Sequence, residues 1–297
     1  MYERTKKDNP LVVVTLPRAM QSIRVQPPNI PKVLNVKPPK PSATPLKFKY
    51  TPSRDGVDLN LLILLHGLGD TEKPFAQLGE KLQLPQTATL AIRAPTPIPF
   101  LDDGFQWFPA FNLSTGEDLP ATHPSRLEGL HATRTLLSTF LTTHLVPHCG
   151  FDPSCIFIFG FSQGGSVALD LALFGETRNL GGVVSVMGYL LDMQVEGGNK
   201  EKVAENAYEG AVLVLQGEKD EQLGGKAVGE KKFEQLKQFC SPDAKLSQLF
   251  IPKKGHQMPN SEREWHAIHT FFAAHLARRN LQLEAMSDVY EVSRAGA

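Results

Sequence analysis

Residues 155–173 constrain this chain more than any other stretch. Cys155-Ile-Phe-Ile-Phe159 is continuously apolar, and Val167-Ala-Leu-Asp-Leu-Ala-Leu173 carries a helical pattern. Between them stands Gly160-Phe-Ser-Gln-Gly164. A strand that is apolar at every position must be covered on both faces, which is the condition of a parallel sheet with helices on either side. The two glycines lack the β-carbons that would clash in a sharp strand-to-helix turn. Ser162 is therefore predicted at the tip of that turn with its hydroxyl pointing outward.

The same alternation runs through the rest of the chain. Leu46-Lys-Phe-Lys-Tyr-Thr51 alternates apolar and polar, as a half-exposed strand does. Further strands are predicted over 61–65, 87–92, 183–187, 211–215 and 249–251. Helical spacing is read over 72–83, 125–145, 166–174, 226–239 and 261–278. Strands alternating with helices predict an α/β fold with a mostly parallel central sheet flanked by helices. Two aromatic or polar excursions interrupt the pattern, at 95–123 and 192–210. The first carries Phe100, Phe105, Trp107, Phe108 and Phe111.

Composition narrows the function classes. Of 297 residues, 41% are hydrophobic and 21% charged, as in a folded soluble protein. No apolar run approaches the ~20 residues of a membrane helix, so no integral membrane segment is expected. Lys and Arg number 31, and so do Asp and Glu, which argues against a nucleic-acid partner. Cys149, Cys155 and Cys240 cannot build a disulfide framework and have no zinc-ligand spacing. That usage and the lack of an export signal point to a cytoplasmic protein without a metal. Residues 1–50 hold ten Lys/Arg against two Asp/Glu, and nine of the 23 prolines precede residue 46. The expected organisation is a Pro-rich basic arm over 1–45, partly ordered, one domain over 46–278 and a fraying tail over 279–297.

A serine hydroxyl is a poor nucleophile until a base takes its proton and a carboxylate orients that base. In a strand-turn-helix setting of this kind the chain order is Ser, acid, His. Four histidines follow Ser162: His256, His266, His269 and His275. The last three fall in a helical pattern, whereas His256 sits in a loop after a strand, so His256 is the predicted base. Asp220, five residues beyond the strand 211–215, is the favoured acid, with Glu218 and Glu221 as rivals. Asp170 belongs to the helix after Ser162, and Asp192 and Asp243 lack the loop context. An oxyanion needs two backbone donors. Gln163 N–H follows the serine directly, and Leu68 N–H in His66-Gly-Leu-Gly69 follows an early strand at the second expected place. His66 precedes the serine and reads as a structural hydrogen-bonding residue.

Five motifs then occur in order: Leu65-His-Gly-Leu-Gly-Asp70, Trp107-Phe108, Gly160-Phe-Ser-Gln-Gly-Gly165, the Gly-Glu-Lys-Asp220 loop and Gly255-His256. Over roughly residues 55–276 the chain resembles the phospholipase/carboxylesterase family of α/β-hydrolases, which includes acyl-protein thioesterases. The resemblance implies a cofactor-free cytosolic serine hydrolase acting on carboxylic esters or thioesters. By position it implies Ser162 as nucleophile, Asp220 as acid, His256 as base, and Leu68 and Gln163 as oxyanion donors. The chain departs from the family after the acid, where proline and valine are common and Glu221, Gln222 and Leu223 stand here.

The expected activity is two-step acyl transfer to water from a small-molecule ester or an acylated protein. Trp107 and Phe108 either wall the acyl pocket or seal their loop onto the sheet. A short-chain ester or lactone hydrolase of the same fold is an alternative, as is a hydrolase-fold scaffold without turnover. Nothing in the sequence sets the oligomeric state.

Overall fold

The computed structural model describes residues 23–26, 36–99, 101–112, 114–177, 179–196, 207–280 and 291–294. Phe100 and residues 197–206, which belong to the two predicted excursions, lie outside the described residues. The chain divides into two units, residues 35–278 and a smaller one formed by residues 1–34 with 279–297. In the smaller unit, β1 (Ile23–Gln26) pairs antiparallel with a strand at Glu291–Arg294. The tail, expected only to fray, thus carries a strand, the last in the chain (β11). The larger unit begins earlier than the change in composition at residue 46. Lys37 N–H donates to the Cys149 carbonyl at 2.9 Å and Pro39 is buried, so the end of the proline-rich segment packs as part of that unit.

Seven strands form the main sheet: β2 (Phe48–Thr51), β3 (Asn60–Leu65), β4 (Thr87–Ile92), β7 (Ile156–Phe161), β8 (Gly182–Val186), β9 (Ala211–Gly217) and β10 (Leu246–Ile251). A short hairpin, β5 (Thr96–Pro97) with β6 (Phe105–Gln106), stands apart. The order across the sheet is β10-β9-β8-β7-β3-β4-β2, parallel throughout except for β2 against β4. The continuously apolar strands are the central ones, and every residue of β3, β4, β8 and β9 is buried. At the edge, β10 alternates half-buried and exposed residues, which is why only its end is legible as a strand.

The helices are α1 (Glu72–Leu82), α2 (Pro124–Phe140), α3 (Gln163–Phe174), α4 (Asp192–Glu196), α5 (Gly225–Lys237) and α6 (Glu262–His275). Helix α2 runs into a π-helical turn at Leu141–Leu145, which completes the predicted 125–145 segment. Strand side chains alternate between the two faces. Leu61, Ile63, Leu65, Ile156 and Ile158 pack with residues of α2, α3 and α5. Leu62, Leu64, Phe157 and Phe159 pack with α1 and α6. Each such side chain, fully buried, contributes roughly 1.5–3 kcal/mol. From β3 the chain steps to β4 on one side and later to β7 on the other. The crevice at the carboxyl ends of β3 and β7 is the switch point where sheets of this kind present ligand sites. Among the described residues, no helix is long and apolar enough to cross a membrane.

Candidate active site

Strand β7 ends at Phe161 and α3 begins at Gln163, which leaves Ser162 alone to make the turn. Its backbone lies at φ 53°, ψ −119°, a strained region that costs of order 1–3 kcal/mol. The surroundings over-determine it. Ser162 N–H donates to the Val186 carbonyl at 2.8 Å, and Ser166 N–H donates to the Ser162 carbonyl at 3.0 Å. A β-carbon on Gly160 would stand 2.1 Å from the Gly164 carbonyl oxygen, and one on Gly164 would stand 2.4 Å from those of Leu65 and His66. Only glycine fits at either position. The predicted helix start at 166 moves back to Gln163 for the same reason: Gly164 and Gly165 are poor helix formers, kept here because backbones meet.

Three side chains from three loops converge at the carboxyl edge of the sheet. His256 Nε2 is 2.7 Å from Ser162 Oγ, and His256 Nδ1 is 3.0 and 2.9 Å from the two Asp220 oxygens. A carboxylate can only accept, so Nδ1 carries the proton and Nε2 faces the serine hydroxyl as acceptor. The Asp220 side chain is fully buried and that of His256 is 13% exposed. Asp220 also accepts from Leu223 N–H at 3.2 Å, which caps a short helical turn. The rivals point elsewhere. Glu218 accepts from Lys253 N–H at 3.4 Å and pairs loosely with Lys226, and Glu221 is exposed. His266 and His269 lie exposed on α6, and His275 is half-buried near its end.

The loop after β3 lies against the same turn. A β-carbon on Gly67 would be 3.6 Å from that of Ser162. Neither Leu68 N–H nor Gln163 N–H has an acceptor among the described residues. His66 is fully buried, and burial draws its pKa below the ordinary value. Its Nε2 accepts from Ala94 N–H at 2.9 Å, so the neutral ring donates from Nδ1 to the Gly67 carbonyl at 2.7 Å. It fastens the loop, as the sequence suggested.

Trp107 and Phe108 are 1% and 2% exposed and belong to the core. Trp107 Nε1 donates to the His66 carbonyl at 2.8 Å, and Thr133 Oγ1 donates to the Trp107 carbonyl. Gln163 holds the pair: its Oε1 accepts from Trp107 N–H at 2.7 Å and its Nε2 donates to the Phe108 carbonyl at 2.8 Å. These contacts seal the loop onto the sheet and leave the two rings almost no surface to offer a substrate. Reading the sequence singles out Gln163 for its N–H alone and misses the carboxamide. The available signal was a large amide among residues due to be buried. One cavity of about 260 Å³ lies between β2, β4 and α1, lined by Thr51, Arg54, Glu80 and Thr89 among others, and includes none of these residues.

A family model described as phospholipase/carboxylesterase matches residues 52–276. The chain belongs to that family. Its members' α/β-hydrolase fold is the one seen here, and the family is one of hydrolases. The uncharacterized hydrolase UM10204 of Mycosarcoma maydis is 43% identical over 148 residues, 48% of this chain and 53% of that protein. The uncharacterized hydrolase C9G1.08c of Schizosaccharomyces pombe is 34% identical over 137 residues, 44% of this chain and 54% of that protein. The matched part thus spans about half the length of these curated relatives. Among solved structures, esterase PE8 is 25% identical with a TM-score of 0.64, over 78% of this chain and 99% of its own. Zea mays acyl-protein thioesterase 2 is 22% identical with a TM-score of 0.55, over 77% and 98%, a likeness of fold.

Proposed function

We propose that this phospholipase/carboxylesterase family member is a serine hydrolase that cleaves carboxylic esters or thioesters with Ser162, His256 and Asp220. The observation that carries the reading is the continuous line from Asp220 through His256 to Ser162 Oγ, with spacings of 2.9 and 2.7 Å. His256 takes the Ser162 proton as Oγ attacks the acyl carbonyl. The oxyanion forms at Leu68 N–H and Gln163 N–H, at the start of α3, where the helix dipole adds to the attraction. Each well-placed donor contributes ~3 kcal/mol to the transition state. His256 then hands its proton to the departing alcohol or thiol, and the same ring draws a proton from the water that releases the acid. Asp220 keeps the required tautomer and stabilises the imidazolium. Leu68 and Leu101, 38% and 48% exposed, present apolar surface at the loop after β3, Leu101 lying against Gly69, and favour a substrate with an apolar acyl part. A cytoplasmic location belongs to the same proposal and is supported by three buried cysteines, all unpaired.

The test is labelling with a fluorophosphonate and turnover of p-nitrophenyl esters from acetate to palmitate. Labelling and turnover in the wild type, both lost in Ser162→Ala, are expected, with kcat falling on the order of 10⁶-fold. Folded wild-type protein that takes no probe would move the reading to a scaffold without turnover.

A further inference from the structure

We propose that the Gln163 carboxamide is a positioning group that fixes the distance between the two oxyanion donors. This rests on the functional reading above and adds a role for a side chain that does not touch substrate. The donor at residue 163 and the donor at residue 68 belong to different loops. The second loop contains Gly67 and Gly69, the latter at φ 82°, and glycines give it no stiffness of its own. Something outside the loop must hold it, because oxyanion donors act only when preorganised, and displacement by about 0.5 Å matters.

The hydrogen bonds trace the holder. From Gln163 the carboxamide reaches Trp107 N–H and the Phe108 carbonyl, at 2.7 and 2.8 Å. From Trp107 the indole N–H reaches the His66 carbonyl at 2.8 Å, two residues before Leu68. His66 is itself anchored to Ala94 N–H at 2.9 Å. Gln163 is only 8% exposed, so its amide cannot exchange these partners for bulk water. The residue that carries one donor therefore grips the loop that aligns the other. The contact demands an acceptor and a donor from one planar group, and the carboxamide supplies both.

The experiment compares wild type, Gln163→Leu and Trp107→Phe, the last removing the indole N–H together with part of a buried ring. Each is measured for kcat and KM on a p-nitrophenyl ester and for inhibition by an alkylboronic acid. Ser162 Oγ adds to the trigonal boron as its proton passes to His256 Nε2, which places a tetrahedral anion at the donors. Gln163→Leu is expected to lose about 10²-fold in kcat with KM within about threefold. Its boronic-acid affinity should fall in parallel with kcat/KM. Trp107→Phe should show the same pattern at about tenfold, which stands even where Gln163→Leu fails to fold. Turnover lost while boronate affinity is unchanged would overturn the proposal, because the donors would then be intact. So would wild-type kcat in either variant. Wild-type protein with neither turnover nor phosphonate labelling would overturn the functional reading and this proposal together. An active wild type with unaffected variants overturns this proposal alone.

Discussion

Around Ser162 the chain is held by backbone pressed against backbone, whereas the far end of the acid loop, at Gly224 and Gly225, is held by side chains. At the serine turn, Gly160, Gly164 and the carbonyls of Leu65 and His66 meet at distances that exclude any β-carbon. At the acid loop, Gly224 and Gly225 sit at φ 79° and 72°, and the loop is tied from outside by polar groups. Gln216 Nε2 donates to the Gly225 carbonyl at 3.0 Å, Tyr189 hydroxyl donates to Gln216 Oε1 at 2.9 Å, and Gln248 Nε2 reaches the Tyr189 oxygen at 2.8 Å. Steric closure is all-or-none. A hydrogen-bonded tie is graded, because each bond is worth about 1 kcal/mol net and leaves its partners unpaired when removed. The two sides of the same histidine should therefore fail differently.

The largest effect is expected at the steric side. Gly164→Val drives side-chain atoms onto two backbone carbonyls. It should destabilise the fold by about 3 kcal/mol and abolish phosphonate labelling, read by thermal melting and gel fluorescence. A labelled, stable Gly164→Val protein would break the steric half of the comparison. Next, Asp220→Asn should keep the fold and lose about 10⁴-fold in kcat, since the ring is left with the wrong tautomer. Glu218→Gln, whose carboxylate is 36% exposed, should stay within about twofold. The reverse ranking would assign the orienting role to Glu218.

That contrast also explains what could be read without the structure. A steric requirement leaves a local mark, two glycines around one serine, and the order of strands and helices leaves a period. Both are visible in a single sequence. The position of His256 was legible because its competitors sit on a helical pattern. The acid loop was less so: Gln216, which ties it, is itself held through Tyr189 and Gln248, distant in sequence, so Glu221, Gln222 and Leu223 can depart from the family pattern without a local signature. The Gln163 carboxamide was hidden for the same reason, because its partners Trp107 and Phe108 lie 56 and 55 residues away. Edge position hid most of β10, whose half-exposed residues lack the apolar run of the central strands.

The side-chain ties sharpen the comparison at intermediate size. Gln216→Leu takes the acceptor from the buried Tyr189 O–H and the donor from the half-buried Gly225 carbonyl. Each stranded group costs about 1–3 kcal/mol, so urea unfolding should show a loss in that range. Asp220 should shift rather than detach, because Gly225 N–H still donates to its carbonyl at 2.8 Å, and kcat should fall about tenfold. A kcat loss as large as that of Asp220→Asn would mean that the acid depends wholly on this network.

The last test concerns a charge buried in α3, the helix that follows the serine turn. Asp170 lies on α3, fully buried, with Oδ1 bonded to Arg134 at 2.8 Å and Gln194 at 2.5 Å and Oδ2 without a partner among the described residues. Burial outweighs the nearby Arg134 and pushes its pKa up to about 7 from 3.8. Between those values the folded state holds a proton that the unfolded chain releases. This group's contribution to stability is thus complete below about pH 4 and is lost as pH rises through about 7, with a slope of at most about 1.4 kcal/mol per unit. His66 opposes it, because burial holds its pKa below the ordinary value, and that contribution grows as pH rises toward the ordinary histidine range. The quantity to measure is therefore the stability of wild type minus that of Asp170→Asn, by urea unfolding from pH 4.5 to 8. The difference should decline across the window and flatten above about pH 7.5. A flat difference throughout would mean that Arg134 keeps Asp170 ionised across the window, and that α2 and α3 are joined by a permanent ion pair.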